Sequence, residues 1–290
     1  MVKEPNNFSH LIGAETQSIA NRSAAKRIDW IRHDRWYNLL YAAELLSHLK
    51  NLKDHNRGNV RPRCARIVAP SGMAKTYILQ QFLKLHPPSR VNKATNIRRP
   101  VFLLDLPIVP TIEQLLLDML VLLEAPTEKL SVRSYKQQAL NLLVAAGAQI
   151  IVLDEFNRIT AAKIDAEKAV GEVLKWLAKE LRIPVVVAGT AAMNGFFAKD
   201  EQLNKRFKSY EISKWSVDEE FQAVVSTIFA YMPLREPPEE SIFEKVGLEA
   251  LMVKAGEATD DVIDFVKSLA IDCLENGQER ITLDHIVSAA

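Results

Sequence analysis

The sequence predicts an α/β fold in which a mostly parallel sheet is covered on both faces by helices and followed by a smaller helical unit. Three observations carry that prediction. Short apolar runs at residues 64–69, 101–106, 149–154 and 184–189 alternate with stretches of helical period. The first run leads into Ala69-Pro70-Ser71-Gly72-Met73-Ala74-Lys75-Thr76 and an amphipathic stretch, the layout of a phosphate-gripping strand, loop and helix. Beyond Lys214-Trp215 the strand signal stops and only helical periods remain.

Taken in order, the first 25 residues are polar, rich in Asn and Ser and without a strong period, and read as an extended arm. Residues 27–52 place Trp36, Leu39, Leu40, Ala43, Leu46 and Leu49 at helical spacings and predict one helix. Gly, Asn, Asp and Pro make 53–62 a loop. Strand 64–69 precedes helix 75–86, which stops before Pro87-Pro88. Strand 101–106, helices 111–124 and 131–146, strand 149–154, helix 161–181 and strand 184–189 complete the alternation. Helices at 217–229, 241–254, 259–275 and 283–288 follow, with the three prolines of 233–238 linking the first two. The expected domains are an arm (1–26), a nucleotide-binding core (27–216) and a helical lid subdomain (217–290).

Charge is balanced, 37 basic against 36 acidic residues, so any nucleic-acid contact must be a local patch. Cys64 and Cys273 share no metal-ligand spacing with the six histidines. No apolar run is long enough to span a bilayer and the polar start lacks a signal-peptide core, so the expected location is cytoplasmic, away from membranes.

In the loop, backbone N–H groups of Ser71, Gly72, Met73 and Ala74 would converge on the phosphates of ATP, Lys75 would add charge and the Thr76 hydroxyl would hold Mg²⁺. The pattern G-x-x-x-x-G-K-[ST] has Ala69 and Ala74 at its glycines, at a cost of about 1–2 kcal/mol wherever a positive φ is needed. A second element, Ile150-Ile151-Val152-Leu153-Asp154-Glu155, reads as a buried strand that delivers two carboxylates to its C-terminal edge. There Asp154 would act on Mg²⁺ and Glu155 would orient and activate water. Thr190, after the strand 184–189, either hydrogen-bonds the γ-phosphate or attacking water as a sensor, or caps the helix near Ala191. The guanine-reading Asn-Lys-x-Asp of GTPases is absent. The combination points to a P-loop NTPase of the AAA+ class.

Four stretches resemble the TniB/TnsC family of transposition ATPases. They are Asp34-Arg35-Trp36, the loop from Ser71 to Thr76, the run from Leu174 to Pro184 leading into Gly189-Thr190, and Gln202-Leu203-Asn204-Lys205-Arg206-Phe207. The resemblance spans about residues 27–216 and implies an ATP-dependent regulator that forms rings or filaments on double-stranded DNA. It also implies recruitment of a transposase and a TniQ-like target-selection adaptor. It makes Arg206 the arginine finger given in trans to a neighbouring subunit's ATP and sets Trp36 near the adenine. Acids in the lid segment Ala255-Gly256-Glu257-Ala258-Thr259-Asp260-Asp261, where a sensor arginine is common, and the lost glycines together imply slow hydrolysis. Lys129, Arg133 and Lys136 are candidate DNA contacts, and Arg90, Lys93, Arg98 and Arg99 form a second basic cluster. No base-reading helix is evident, so sequence specificity is expected to be low. Two other readings stand beside this one: a catalytically degenerate AAA+ scaffold and a replication-type helicase loader.

Overall fold

In the computed structural model, which describes residues 8–55, 60–90, 97–126 and 131–289, the apolar runs of the sequence become strands of one sheet. Helices α1 (Ala14–Ala20), α2 (Ala24–Arg32) and α3 (Leu40–His55) come first. They are followed by β1 (Cys64–Val68), α4 (Lys75–Lys84), the short antiparallel pair β2 (Ser89–Arg90) and β3 (Ile97–Arg98), and β4 (Val101–Asp105). Next come α5 (Ile112–Leu122), α6 (Val132–Ala145), β5 (Ile150–Asp154), α7 (Ile164–Leu181) and β6 (Val185–Gly189). After α8 (Asn194–Ala198), α9 (Glu201–Arg206) and β7 (Phe207–Glu211), only helices remain: α10 (Glu219–Ala230), α11 (Lys245–Ala255), α12 (Thr259–Glu275) and α13 (Leu283–Ser288). Two units are distinguished, one of Glu44–Ser213 and one of Met1–Ala43 with Lys214–Ala290.

The Glu44–Ser213 unit holds a five-stranded sheet of order β4-β5-β6-β1-β7, parallel throughout. The order follows from composition. Every residue of β5 and β6 is buried, as interior strands of a parallel sheet require. Strands β4 and β7 lie at the edges and keep exposed positions. Leu115, Leu116 and Met119 of α5, Tyr135 and Leu143 of α6, and Val170, Leu174 and Leu177 of α7 pack into one core with the strands. Helix α5 is capped by Thr111, whose hydroxyl accepts from Gln114 N at 3.2 Å, and α6 by Ser131, which accepts from Ser134 N at 3.2 Å.

Strand β7 departs from expectation, which gave four strands. Its Phe207-Lys-Ser-Tyr-Glu stretch buries Phe207 and leaves Lys208, Ser209 and Glu211 exposed, an edge pattern with little hydrophobic signature.

The other unit overturns two local expectations. The extended arm expected over 1–26 holds α1 and the start of α2, and Ala20 within it is buried. The single helix expected over 27–52 is broken between α2 and α3 by a non-helical segment that contains Trp36. In that segment the Arg35 guanidinium lies 3.1 Å from the Trp30 ring centroid, and Tyr37 is buried edge-on against Tyr231. Those side-chain contacts outweigh the helical spacing of the apolar residues.

Arg27 ties the two sequence segments of this unit together. Only 2% exposed, it donates twice to Glu279, at 2.6 and 2.7 Å, and once to Pro233 O at 3.1 Å. Arg235 N also donates to Glu279, at 3.1 Å. Burial acts to raise the Glu279 carboxyl, but the Arg27 and Arg235 bonds prevail and hold it below its ordinary value of 4.5. A depressed carboxyl contributes stability above its ordinary pKa and loses it as pH falls through the folded value. The stability of this unit should therefore decline as pH drops below 4.5. Glu279→Ala should cost about 3 kcal/mol at neutral pH, because it strands a buried guanidinium. Urea unfolding of both proteins across pH 3–7 checks this, and an acid slope unchanged in the variant would refute it.

Candidate functional site

The second strand from the β7 edge, β1, is where the sheet reverses its order, and ligands of open α/β sheets sit outside the C-terminal ends of strands at such a point. The loop from Ala69 to Ala74 leaves β1 there and turns into α4. Its start is held by Ala69 N donating to Gly189 O at 3.0 Å. Gly189 itself admits no side chain, since a Cβ there would stand 2.9 Å from Asn157 N and 3.2 Å from Met193 Sδ.

The two alanines of the loop differ. Ala74, immediately before α4, has φ 50° and ψ 20°, a left-handed conformation, whereas Ala69 does not have a positive φ. The strain falls on one alanine only, and Gly72, at φ 78°, takes the other turn without cost. Met73 is buried and pins the loop to the core.

Asp154 is the centre of the site. At the end of β5 and 1% exposed, it accepts from Thr76 Oγ1 at 2.6 Å and from Glu155 N at 2.8 Å, and its Oδ1 lies 3.2 Å from Lys75 Nζ. A carboxylate taken out of water requires such pairing. Glu155 follows in a left-handed conformation, φ 54°, which breaks the strand and sends the chain into a 3₁₀ turn. Its Oε2 lies 3.4 Å from Asn157 Nδ2 and 4.0 Å from Arg158 Nε. The Thr76 hydroxyl and Asp154 carboxylate form an all-oxygen pair of the kind that suits Mg²⁺, which keeps several waters and takes phosphate oxygens. Among the described residues no group of three or more His, Cys, Asp and Glu side chains forms a metal cage. A magnesium shared with phosphates does not need one.

Sequence reasoning missed two members. Asp105 ends β4 and is in register with Asp154. Burial, then the charges of Asp154 and Glu155, raise its carboxyl against the opposing effect of Arg158 and Lys75. Arg158 donates to Leu106 O at 2.6 Å and lies 3.8 Å from Asp105, joining the ends of β4 and β5. The signal for Asp105 was available, because Leu103-Leu104-Asp105 repeats the apolar-run-then-acid form of Leu153-Asp154.

Thr190 follows β6, half-buried, and its side chain makes no capping hydrogen bond to the turn after it. Arg206 is the last residue of α9, at the N-terminal edge of the sheet, because Phe207 after it pairs with Cys64. Burial pushes the Cys64 thiol up to about 11, with the Arg206 charge drawing the other way. The sheet rises ~3.3 Å per residue, so Arg206, one residue before the level of Cys64, and the start of the loop at Ala69 stand roughly 20 Å apart along it. They do not meet within one chain. Arg133 is exposed at the start of α6, and Lys136 Nζ lies 5.5 Å from the Trp176 ring. Lys129 and Lys93 lie outside the described residues. Trp36 belongs to the Met1–Ala43 and Lys214–Ala290 unit. Asp260 and Asp261 occupy the first turn of α12, where the helix dipole favours acids.

The fold and the loop geometry define a P-loop NTPase of the AAA+ type, with a parallel sheet core and a C-terminal set of helices. Solved structures agree. The chain is similar to the ORC1 protein of Aeropyrum pernix in complex with DNA (TM-score 0.57, 15% identity, 92% of this chain and 68% of that one). It is also similar to Cdc6p from Pyrobaculum aerophilum (0.59, 16%, 87% and 68%) and to the ADPNP-ADP complexes of Aeropyrum pernix ORC2 (0.58, 13%, 90% and 70%). No curated protein matches the sequence. The family model described as Bacterial TniB protein matches residues 27–217, and the chain belongs to the TniB family. No helix among the described residues is long and apolar enough to cross a membrane.

Glycine at position 74 removes the left-handed strain on the loop. Ala74→Gly should raise stability by about 1 kcal/mol, read as an upward shift of the thermal midpoint. A midpoint that falls would show that the loop gains more from a stiff residue than it loses in strain.

Proposed function

We propose that this TniB-family chain is an ATP-dependent, DNA-bound regulator of transposition that assembles as a ring or filament on target duplex and recruits the transposase, with a TniQ-like adaptor selecting the site. One observation carries the reading. The acids and Lys75 stand at one edge of the sheet and Arg206 at the other, so a complete phosphate site needs a second copy. A guanidinium suits the role because it stays charged and binds bidentately.

In this reading Lys75 and the loop amides bind the β- and γ-phosphates, while Thr76 and Asp154 hold Mg²⁺. The ion, when bound, neutralises charge on the phosphate oxygens. Glu155 accepts a proton from the attacking water, and the Thr190 hydroxyl, free of a capping role, orients that water or the γ-phosphate. Arg206 of the adjacent copy stabilises charge on the transferred group. Hydrolysis is slow because Ala74 stiffens the loop in a strained conformation. Slow turnover suits a protein that must persist on DNA.

Duplex affinity spread over many subunits needs few contacts from each, and the exposed Arg133, with Lys136 and Lys129, supplies them. A neighbour in fold, the ORC1 protein, is itself described in complex with DNA. The strain at Ala74 also fits a degenerate scaffold that binds nucleotide without cleaving it. Measurable hydrolysis that disappears in Glu155→Gln excludes that alternative.

Electron microscopy with duplex DNA and ATP, ADP or a non-hydrolysable analogue tests the proposal. Lys75→Ala should abolish nucleotide-dependent assembly, and Glu155→Gln should prolong it while lowering hydrolysis at least 100-fold, or about 2.7 kcal/mol. Assemblies that form without nucleotide, or that neither substitution alters, would defeat it.

A further inference from the structure

We propose that Arg66 is a positioning residue for Arg206, acting through Asn204 and the aromatic pair behind the finger. This rests on the reading that Arg206 completes a neighbouring copy's site. Arg66 lies in β1, the strand that opens into the phosphate loop at its other end. Its Nη1 donates to Asn204 Oδ1 at 3.1 Å, two residues before Arg206 on α9. Its guanidinium carbon stands 5.1 Å from the ring centroid of Phe197, which lies 5.4 Å from the ring of Phe207, the residue directly after Arg206. Arg66 thus bears on the chain before the finger directly, through Asn204, and on the chain after it through Phe197.

The rest of α9 is held as firmly. Asp200 caps its start, accepting from Gln202 N at 2.9 Å and Leu203 N at 3.0 Å, and receives Lys175 Nζ of α7 at 3.1 Å. Leu203 packs so close to α7 that a Cβ on Gly171 would stand 3.2 Å from its Cδ1. A six-residue helix has little rigidity of its own, and Arg66 adds its contact in the last turn, which carries Arg206. Arg66 is a costly choice for structure alone, since its Nε is buried without a hydrogen-bond partner and an aliphatic side chain would avoid that. Its worth lies in aim: a finger misplaced by an ångström loses much of its effect.

The test is steady-state ATP hydrolysis by the full-length protein with duplex DNA and magnesium. Arg66→Gln should lower kcat three- to tenfold and leave the KM for ATP within twofold, because the loop that binds nucleotide is untouched. Arg66→Lys, which keeps a donor to Asn204, should restore at least half of the rate. In an Arg206→Gln background, Arg66→Gln should add no further loss, since the finger it aims is gone. Loss in Arg206→Gln with wild-type turnover in Arg66→Gln overturns the positioning role and leaves the finger in place. Wild-type turnover in Arg206→Gln overturns both. An Arg66→Gln effect that changes KM as much as kcat, or that adds fully to Arg206→Gln, marks general damage and also overturns the proposal.

Discussion

A single buried carboxylate organises the Glu44–Ser213 unit. Asp154 is almost wholly withdrawn from water, and it is tolerated because Thr76, Lys75 and the Glu155 amide all turn toward it. That requirement fixes the start of α4 against the end of β5, although the two are far apart in sequence. It also explains why β5 is apolar along its length until that final residue, since any polar side chain earlier would lie in the dry middle of the sheet. The left-handed residues on either side, Ala74 and Glu155, are the local strain that the arrangement demands.

Much of this was legible in the sequence where the physics is one-dimensional. Strands β1, β4, β5 and β6 announced themselves as continuous apolar runs, and α12 and α13 were read with their observed bounds, Thr259–Glu275 and Leu283–Ser288. The Thr76, Lys75 and Asp154 cluster followed from pairing a Lys-Thr loop with an acid-ended strand. What escaped depends on contacts that spacing does not encode. Strand β7 is recruited by β1 through backbone bonds and needs only Phe207 to face inward. Trp36 sits at helical spacing, yet its segment is not helical because Arg35 and Tyr37 find aromatic partners elsewhere. Asp105 joins the site only through the register that sets it beside Asp154.

The helical unit shows the same division. Its helices are individually readable, but its joining of two distant segments is not, because that rests on one buried arginine. Arg27 reaches across more than two hundred positions of sequence to Glu279 and Pro233, and Arg235 reaches back to the carbonyls of Ala20 and Arg22. The N-terminal helices are thereby part of a folded unit instead of the extended arm that their polar composition suggested.

The parallel sheet has a further consequence. Carboxylates gather at the ends of β4 and β5, while Arg206 stands where β7 begins. In the proposed ring or filament each copy's arginine edge meets the next copy's acid edge, a heterologous contact in which every copy faces the same way, unlike a two-fold pair, which would answer both edges at once and close. Any array built by it is polar, with one terminus that offers an unanswered arginine and one that offers unanswered acids. Growth and disassembly at the two would proceed at different speeds, and the array would carry a direction along whatever it encircles.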